Sequence, residues 1–264
     1  MRDELRVLSQ AAVATWAEFT AFYTWRTWTV TWLGRLLLQV CFYAVIGRML
    51  QSPQRLEFLL IGNSVAIVAI DACVVIILTI LERRTGTLGL MVAAPSTHVT
   101  VYLGRGLMHL ISGIVAAVIA LGCLTPLFGL SLPWPRSLVI PCLVAVTGFA
   151  CYAYGTCIAA MVMRFPSARW IALNLSYLVL MTFCGVNVPV SFWPDWVQKI
   201  TSALPLTHGL DAIRLLITDG DAFQVVAQTA LELLVAIGWL VAAGIGFHLL
   251  VIRERKAGTL ELNA

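Results

Sequence analysis

The residues that could bind nucleotides are few in this chain, and their neighbours do not suit that chemistry. A P-loop needs a Gly-Lys pair, because backbone amides and an ammonium group hold the phosphates together. Neither Lys199 nor Lys256 follows a glycine. The pair Gly104 and Gly106 lacks the third glycine of a dinucleotide-binding loop, since His109 stands in its place. We therefore expect no nucleotide site in this chain.

Histidine, serine and cysteine positions give no support for hydrolysis or metal binding. The four histidines never occur at HExxH spacing, and the cysteines form no CxxC pair. His109 and Ser112 share a helix face, as in an intramembrane serine protease, but that family requires a glycine where Leu110 stands. We expect no catalytic residue, no metal site and no cofactor in this chain.

Two carboxylates, Asp71 and Glu232, lie inside apolar stretches. A charge at the middle of a membrane costs at least about 2.5–3.5 kcal/mol, so it marks a pathway or a buried partner. For Asp71 two interpretations stay open: a substrate pathway or subunit contact, or a structural carboxylate satisfied by neighbouring hydroxyls. Glu232 lies near the outer end of its helix, where we expect a structural role.

The composition defines the environment of the chain. Of 264 residues, 60% are hydrophobic and 11% are charged, and the mean hydropathy is +0.92. Soluble domains carry about 25% charged residues. The apolar residues here fall in long blocks, which indicates an integral membrane protein. Basic residues are scattered between the blocks and line no single face, so we expect no nucleic-acid partner.

Six apolar stretches are long enough to cross a bilayer, which requires about 20 residues. They cover roughly residues 27–50, 58–81, 101–125, 138–163, 170–187 and 225–252. Six spans place both termini on one side, and that side collects twelve of the 17 Lys and Arg residues. Because Lys and Arg concentrate in cytoplasmic loops, both termini and residues 82–100 are predicted to be cytoplasmic.

Residues 1–26 precede the first span and are predicted to form an amphipathic helix on the inner membrane surface. From Leu5 to Tyr23, apolar residues recur at spacings of three and four. This stretch is too polar to span, so it should lie along the interface. Four tryptophans near the same interface suit membrane anchoring: Trp16, Trp25, Trp28 and Trp32.

The stretch 187–221 before the last span carries too many charges to cross the membrane. Its apolar residues are nevertheless spaced as in two short helices. A re-entrant helical hairpin in the outer leaflet fits this pattern, because irregular backbone at that depth must be buried in protein. An ordinary exposed loop is the alternative. Three prolines interrupt the segment: Pro189, Pro194 and Pro205.

The cytoplasmic segment "LERRTGTLGLMVAAPS", residues 81–96, is more elaborate than a turn needs to be. Three charges end the second span, a Thr-Gly-Thr stretch can restart a helix, and a short apolar run ends at Pro95. A short helix of this kind, charged at its base and apolar along one side, is shaped to enter a groove on a partner.

These two segments resemble the ABC-2 type transporter permeases. The first matches the family's coupling-helix pattern at Glu82, Arg83, Gly86, Thr87, Leu88, Pro95 and Ser96. The second matches the signature before the last span at Gly185, Pro189, Pro194, Trp196, Leu204, Pro205, Leu206, Thr207, His208, Asp211 and Arg214. The resemblance covers essentially the whole chain.

The resemblance implies an all-α integral membrane protein with six transmembrane helices, an interfacial helix, a cytoplasmic coupling helix within 82–97 and an extracytoplasmic re-entrant hairpin. It also implies two P-loop ATPase subunits that carry ATP and Mg, and a second permease subunit, either identical or a sister chain. The family's dimer seam involves the first and fifth spans. Arg83 and Arg84 would face acidic groups on the ATPase, although binding lipid head groups is an alternative role.

The candidate site residues form three groups. Those coupled to the ATPase are Glu82, Arg83, Arg84, Thr85, Gly86, Thr87, Leu88, Met91 and Pro95. Those of a substrate pathway or subunit contact are Asp71, Asn174, Tyr177 and Phe183. Those of an extracytoplasmic gate are Pro189, Trp193, Pro194, Trp196, Pro205 and His208.

The function expected from this resemblance is the permease subunit of an ATP-driven exporter in the bacterial cytoplasmic (inner) membrane. A hydrophobic or amphipathic drug or natural product is the expected substrate, because interfacial anchoring accounts for most tryptophans. Export of a lipid-linked glycan or another envelope component is an alternative. An ATP-independent channel, or a scaffold that recruits a cytosolic protein through residues 82–96, is an alternative of another class.

Overall fold

The computed structural model describes residues 13, 15–17, 19–21, 23–84, 106–163, 165–218 and 220–257. Within these ranges the chain forms helices joined by turns, and no strand occurs, which confirms the predicted all-α membrane fold. The helices are α1 (Trp25–Met49), α2 (Pro53–Cys73), α3 (Val75–Arg84), α4 (Leu107–Leu127), α5 (Ile140–Val162), α6 (Arg169–Phe183), α7 (Asp195–Thr201), α8 (Thr207–Ile217) and α9 (Ala222–Ala257).

Five helical stretches in the described residues are long and apolar enough to cross a membrane. They are α1, α2 continued by α3, α4, α5 with its preceding 3-10 turn, and α9 as far as Leu250. The predicted fifth span, 170–187, is helical over the 15 residues of α6. At 1.5 Å per residue α6 is about 22 Å long, less than the roughly 30 Å of a hydrocarbon core.

The chain directly after α6 is irregular and buried. Cys184, Gly185 and Val186 are not helical, yet all three are buried. A Cβ on Gly62 of α2 would collide with the carbonyl oxygen of Val186, so the two backbones touch. Burial against protein is the condition under which irregular backbone is tolerated at membrane depth.

The second span, α2 and α3, lies at the centre of the bundle. In its most apolar stretch 83% of residues are buried, against 28% in α1 and 22% in α9. It packs on α1, α4 and α5. The outer faces of α1 and α9 therefore remain available to lipid or to another subunit. The chain alternates in direction, so α3 ends and α4 and α6 begin at one end of the bundle, here called the Arg84 end.

Small residues let the central helices approach closely, as is usual for helices in lipid. A Cβ on Gly148 of α5 would lie 2.6 Å from Val68, and one on Gly155 would lie 3.0 Å from Val75. The small-residue face of the fourth span therefore packs within the subunit. Gly113 of α4 is equally tight, since a Cβ there would lie 2.7 Å from the Cβ of Asp71.

The tight packing at Gly113 leads to a first prediction. Gly113→Val should lower the unfolding free energy by about 1–3 kcal/mol, because overpacking pushes α4 away from α2. Thermal unfolding of the purified protein in detergent measures this effect. Gly122→Val on the same helix is the matched control, since nothing lies within 4 Å of a Cβ there. Equal melting temperatures for the two variants would contradict the packing.

Candidate functional site

The carboxylate of Asp71 is fully buried in the second span and is held by hydrogen bonds. The indole Nε1–H of Trp32 donates to both carboxylate oxygens, at 3.0 and 3.2 Å. The hydroxyl of Ser112 also interacts with this carboxylate. A buried carboxylate without such donors would cost several kcal/mol, roughly, so these bonds make its position possible.

Two tryptophans of the first span, one helical turn apart, donate hydrogen bonds to Asp71 and to its neighbour Ser112. Residues Trp28–Leu33 form a π-helical stretch inside α1. From it, the Trp28 indole donates to the Ser112 hydroxyl at 2.9 Å, while Trp32 donates to Asp71. Single π-helical turns within α-helices occur frequently at functional sites. Trp28, Trp32, Asp71 and Ser112, together called the Asp71 network, tie the first three spans to one another.

The Asp71 network changes what the sequence alone indicates about three of its members. Trp28 and Trp32 are predicted as interfacial anchors, yet their indole N–H groups bind inside the bundle. The exposed Trp16 and Trp25, by contrast, suit the anchoring role. Ser112 accepts the indole N–H of Trp28 beside the carboxylate. The contact with a hydroxyl agrees with the interpretation of Asp71 as a structural carboxylate. Its position beside the neighbouring cavity agrees with the interpretation as part of a substrate pathway.

A cavity of about 480 Å³ opens beside Trp32 at the Arg84 end. Its volume lies in the range of small-molecule sites, about 300–1,000 Å³. Five segments of the chain contribute to its lining, which is mostly apolar and rich in rings. The lining residues include Phe19, Tyr23, Trp32, His109, Trp170 and Leu173. Phe19, Tyr23 and Trp32 form a row, with ring centroids 5.2 and 6.0 Å apart.

The three candidate residues of α6 lie apart from this cavity. Asn174 is exposed and donates to the Trp170 carbonyl of its own helix at 2.8 Å. The Tyr177 hydroxyl accepts a hydrogen bond from Gln39 of α1 at 2.9 Å. Phe183 packs on Trp193, with ring centroids 5.0 Å apart. None of the three contacts Asp71, and their role in a pathway or subunit contact stays a prediction.

The predicted gate residues lie in α7 and α8 and in the segments just before them. Trp193 is half-buried against Phe183, and Pro205 is buried immediately before α8. The His208 ring contacts the Gln228 side chain at 2.8 Å and the Ser202 carbonyl at 3.0 Å. The other three, Pro189, Pro194 and Trp196, are exposed at the surface. The candidate gate residues are therefore partly packed inside the protein and partly exposed at its surface.

Glu232 of α9 holds the start of α8. Its carboxylate accepts hydrogen bonds from the backbone N–H of Leu206 at 2.7 Å and of Gly209 at 2.9 Å. A carboxylate at a helix N-terminus satisfies amides that have no partner in the helix and complements the helix dipole. The Trp239 indole adds a bond to the Ala203 carbonyl at 2.9 Å. The expected structural role of Glu232 is confirmed, and α8 is fixed to the last span.

Arg214 of α8 is enclosed at the same end. Its guanidinium lies 3.6 Å from the centroid of the Phe58 ring and donates to the Phe58 carbonyl at 3.1 Å. Burial lowers the pKa of Arg214 to about 10, against the opposing effects of Asp211 and Glu57. Burial likewise raises the pKa of Asp211, with Arg214 opposing it. Arg214 therefore stays charged at neutral pH and links α8 to the second span.

The candidate coupling residues lie at or beyond the end of α3. The helix includes Glu82, Arg83 and Arg84. The remaining candidates lie outside the described residues: Thr85, Gly86, Thr87, Leu88, Met91 and Pro95. The helical backbone from Val75 to Arg84 leads directly from the core of the bundle to this segment.

Family comparison agrees with the fold and both motifs. A model of the ABC-2 type transporter family matches residues 9–217, which is more than half of the chain. The chain therefore belongs to the ABC-2 type transporter family, and it is a multi-pass membrane permease subunit. A search of curated proteins found no match.

The Glu232 contacts lead to a second prediction. Glu232→Ala leaves two buried amides without an acceptor, at about 1–3 kcal/mol for each group. Amide hydrogen exchange around residues 202–212 should therefore become faster, as mass spectrometry of the purified protein can measure. Leu234→Ala, at an exposed position of the same helix, should leave this exchange unchanged. Equal exchange in the two variants would show that Glu232 does not hold α8.

Proposed function

We propose that this chain is the permease subunit of an ATP-driven exporter that moves a hydrophobic or amphipathic small molecule out of the cell. The observation that carries the substrate class is the ring-lined, mostly apolar cavity at the Arg84 end. Such a lining favours molecules that partition into the membrane. They lose their hydration in the cavity as they do in lipid, and they gain contacts with its rings. The compartment is the bacterial cytoplasmic membrane, with both termini and the Arg84 end inside.

Energy comes from P-loop ATPase subunits that hold ATP and Mg on separate chains. Two features support this part of the proposal. The coupling pattern of the sequence follows Arg84 directly, and α3 joins it to the most buried span of the bundle. When the ATPases close, movement of the coupling segment is transmitted along α3 to Asp71 and the cavity, as packed helices shift in rigid-body transitions.

A second permease subunit completes the transporter. The open faces of α1 and α6 support a seam there. Exposed apolar side chains occur along both helices, such as Leu38 and Phe42 on α1 and Leu175 and Leu178 on α6. The second subunit that covers these faces is either an identical chain or a sister permease.

The coupling part of the proposal gives a third prediction. The double variant Arg83→Glu/Arg84→Glu should recover at least about tenfold less ATPase when the tagged chain is purified in mild detergent from its native membrane, because reversed charges repel an acidic partner surface. Mass spectrometry and ATP hydrolysis in the eluate measure the recovery. Arg48→Glu/Arg55→Glu, at exposed positions of the opposite end, is the matched control. Equal recovery from both variants would contradict coupling through Arg83 and Arg84.

The transport part of the proposal gives a fourth prediction. Inside-out vesicles that contain the permease and its ATPase should accumulate a fluorescent amphiphile such as Hoechst 33342 only when ATP is present. A catalytic-lysine variant of the ATPase is the control, since it keeps the complex and removes hydrolysis. Equal accumulation with and without ATP would favour a channel. Loss of an envelope glycan in cells that lack the permease, with no amphiphile transport, would favour glycan export.

A further inference from the structure

We propose that the cavity at the Arg84 end binds the aromatic body of a planar molecule that carries an amine, and that Asp71 accepts a hydrogen bond from that amine. The inference rests on the proposed function and names its substrate class more closely. In this arrangement Trp32 is the group that separates ligand from carboxylate, since it lines the cavity and donates to Asp71.

The shape of the lining favours a flat aromatic ligand. Rings from the N-terminal segment, α1 and α6 face the space: Phe19, Tyr23, Trp32 and Trp170. Ring pairs gain about 0.5–1.5 kcal/mol beyond their buried area. The electron-rich faces of the rings also attract a cation, and they offer nothing to an anion. An aromatic amine satisfies both preferences in one molecule.

The position of Asp71 supplies the polar end of the site. A carboxylate accepts hydrogen bonds, so an amine N–H can replace the indole N–H of Trp32 as its donor. A protonated amine makes the stronger, charge-assisted bond. Ser112 keeps its own contact with the carboxylate during this exchange, and Trp28 keeps Ser112 in place.

Two basic side chains lie close to the site, each against one of its rings. The Arg35 guanidinium lies 5.1 Å from the centroid of the Trp32 ring, and the His109 ring lies 5.5 Å from that of Phe19. Arg35 is thus engaged with a ring of the cavity wall. The carboxylate behind Trp32 is the fixed acceptor, so an amine gains a partner there that a carboxylate ligand would lack.

The test uses the full-length permease in nanodiscs of zwitterionic lipid and two probes of equal size, 9-aminoacridine and acridine-9-carboxylate. Probe fluorescence is titrated against protein, with empty nanodiscs subtracted. The amine should bind saturably, and the carboxylate at least about tenfold more weakly, a difference of about 1.4 kcal/mol. Equal binding of the two probes would overturn the role of Asp71 and indicate a purely apolar site, such as one for a lipid acyl chain.

Two variants of α6 locate the binding. Leu173 lines the cavity, whereas Leu175, two residues further, is 59% exposed. Leu173→Trp should abolish saturable binding of 9-aminoacridine by filling the space, and Leu175→Trp should preserve it. Binding that survives Leu173→Trp would place the probe elsewhere and overturn the proposal.

Two further variants separate recognition from structural support. Asp71→Asn should weaken amine binding about tenfold and remove the preference for the amine. Trp32→Phe should strengthen amine binding several-fold, because it keeps a ring and removes the competing indole N–H. Weaker binding in Trp32→Phe would show that Trp32 only supports the fold. Transport of an amphiphile by a permease that binds neither probe would overturn this site and leave the proposed function standing.

Discussion

The burial of one carboxylate inside a membrane bundle is the constraint on which this structure depends most. Asp71 is fully buried, so the surrounding helices must supply the hydrogen-bond donors that its carboxylate needs. Trp32 donates to it from α1, and Ser112 of α4 interacts with it as well. The need for these contacts with Asp71 therefore determines which faces of α1 and α4 turn toward α2, and also how far these helices lie from it. The glycine at 113 is part of the same arrangement, because only a residue without a Cβ lets α4 approach Asp71.

A second buried carboxylate performs different work at the other end of the bundle. Glu232 satisfies backbone amides at the start of α8, whereas Asp71 is satisfied by side chains. Backbone amides move only with their helix, so Glu232 joins α8 and α9 into one unit. Side-chain donors can rotate away, so the contacts of Asp71 can be exchanged without unfolding a helix. The two carboxylates thus differ in what holds them: backbone amides at Glu232 and side chains at Asp71.

The second span connects these ends. Its buried helix runs from Pro53 to Cys73, turns at Val74 and continues as α3 to Arg84. It packs on α1, α4 and α5, so one continuous helical span joins Arg84 to the Asp71 network in the core. This placement gives a physical reason for the coupling pattern to follow this span.

The sequence alone determined the membrane class, five of the six predicted spans as long apolar helices, and the family. Each depends on local signals: the length of apolar runs, the places of prolines, and short motifs such as the one that begins at Glu82. It also identified Asp71 and Glu232, since a charged residue in an apolar stretch can be recognised without knowing what it contacts. Only the tertiary structure decided what those residues contact. Helices such as α1 and α2 are apolar on all sides, so their sequence contains no polar stripe to show which face turns inward. The inward direction of Trp28 and Trp32, the irregular buried chain after α6 and the ring-lined cavity all follow from packing between distant segments.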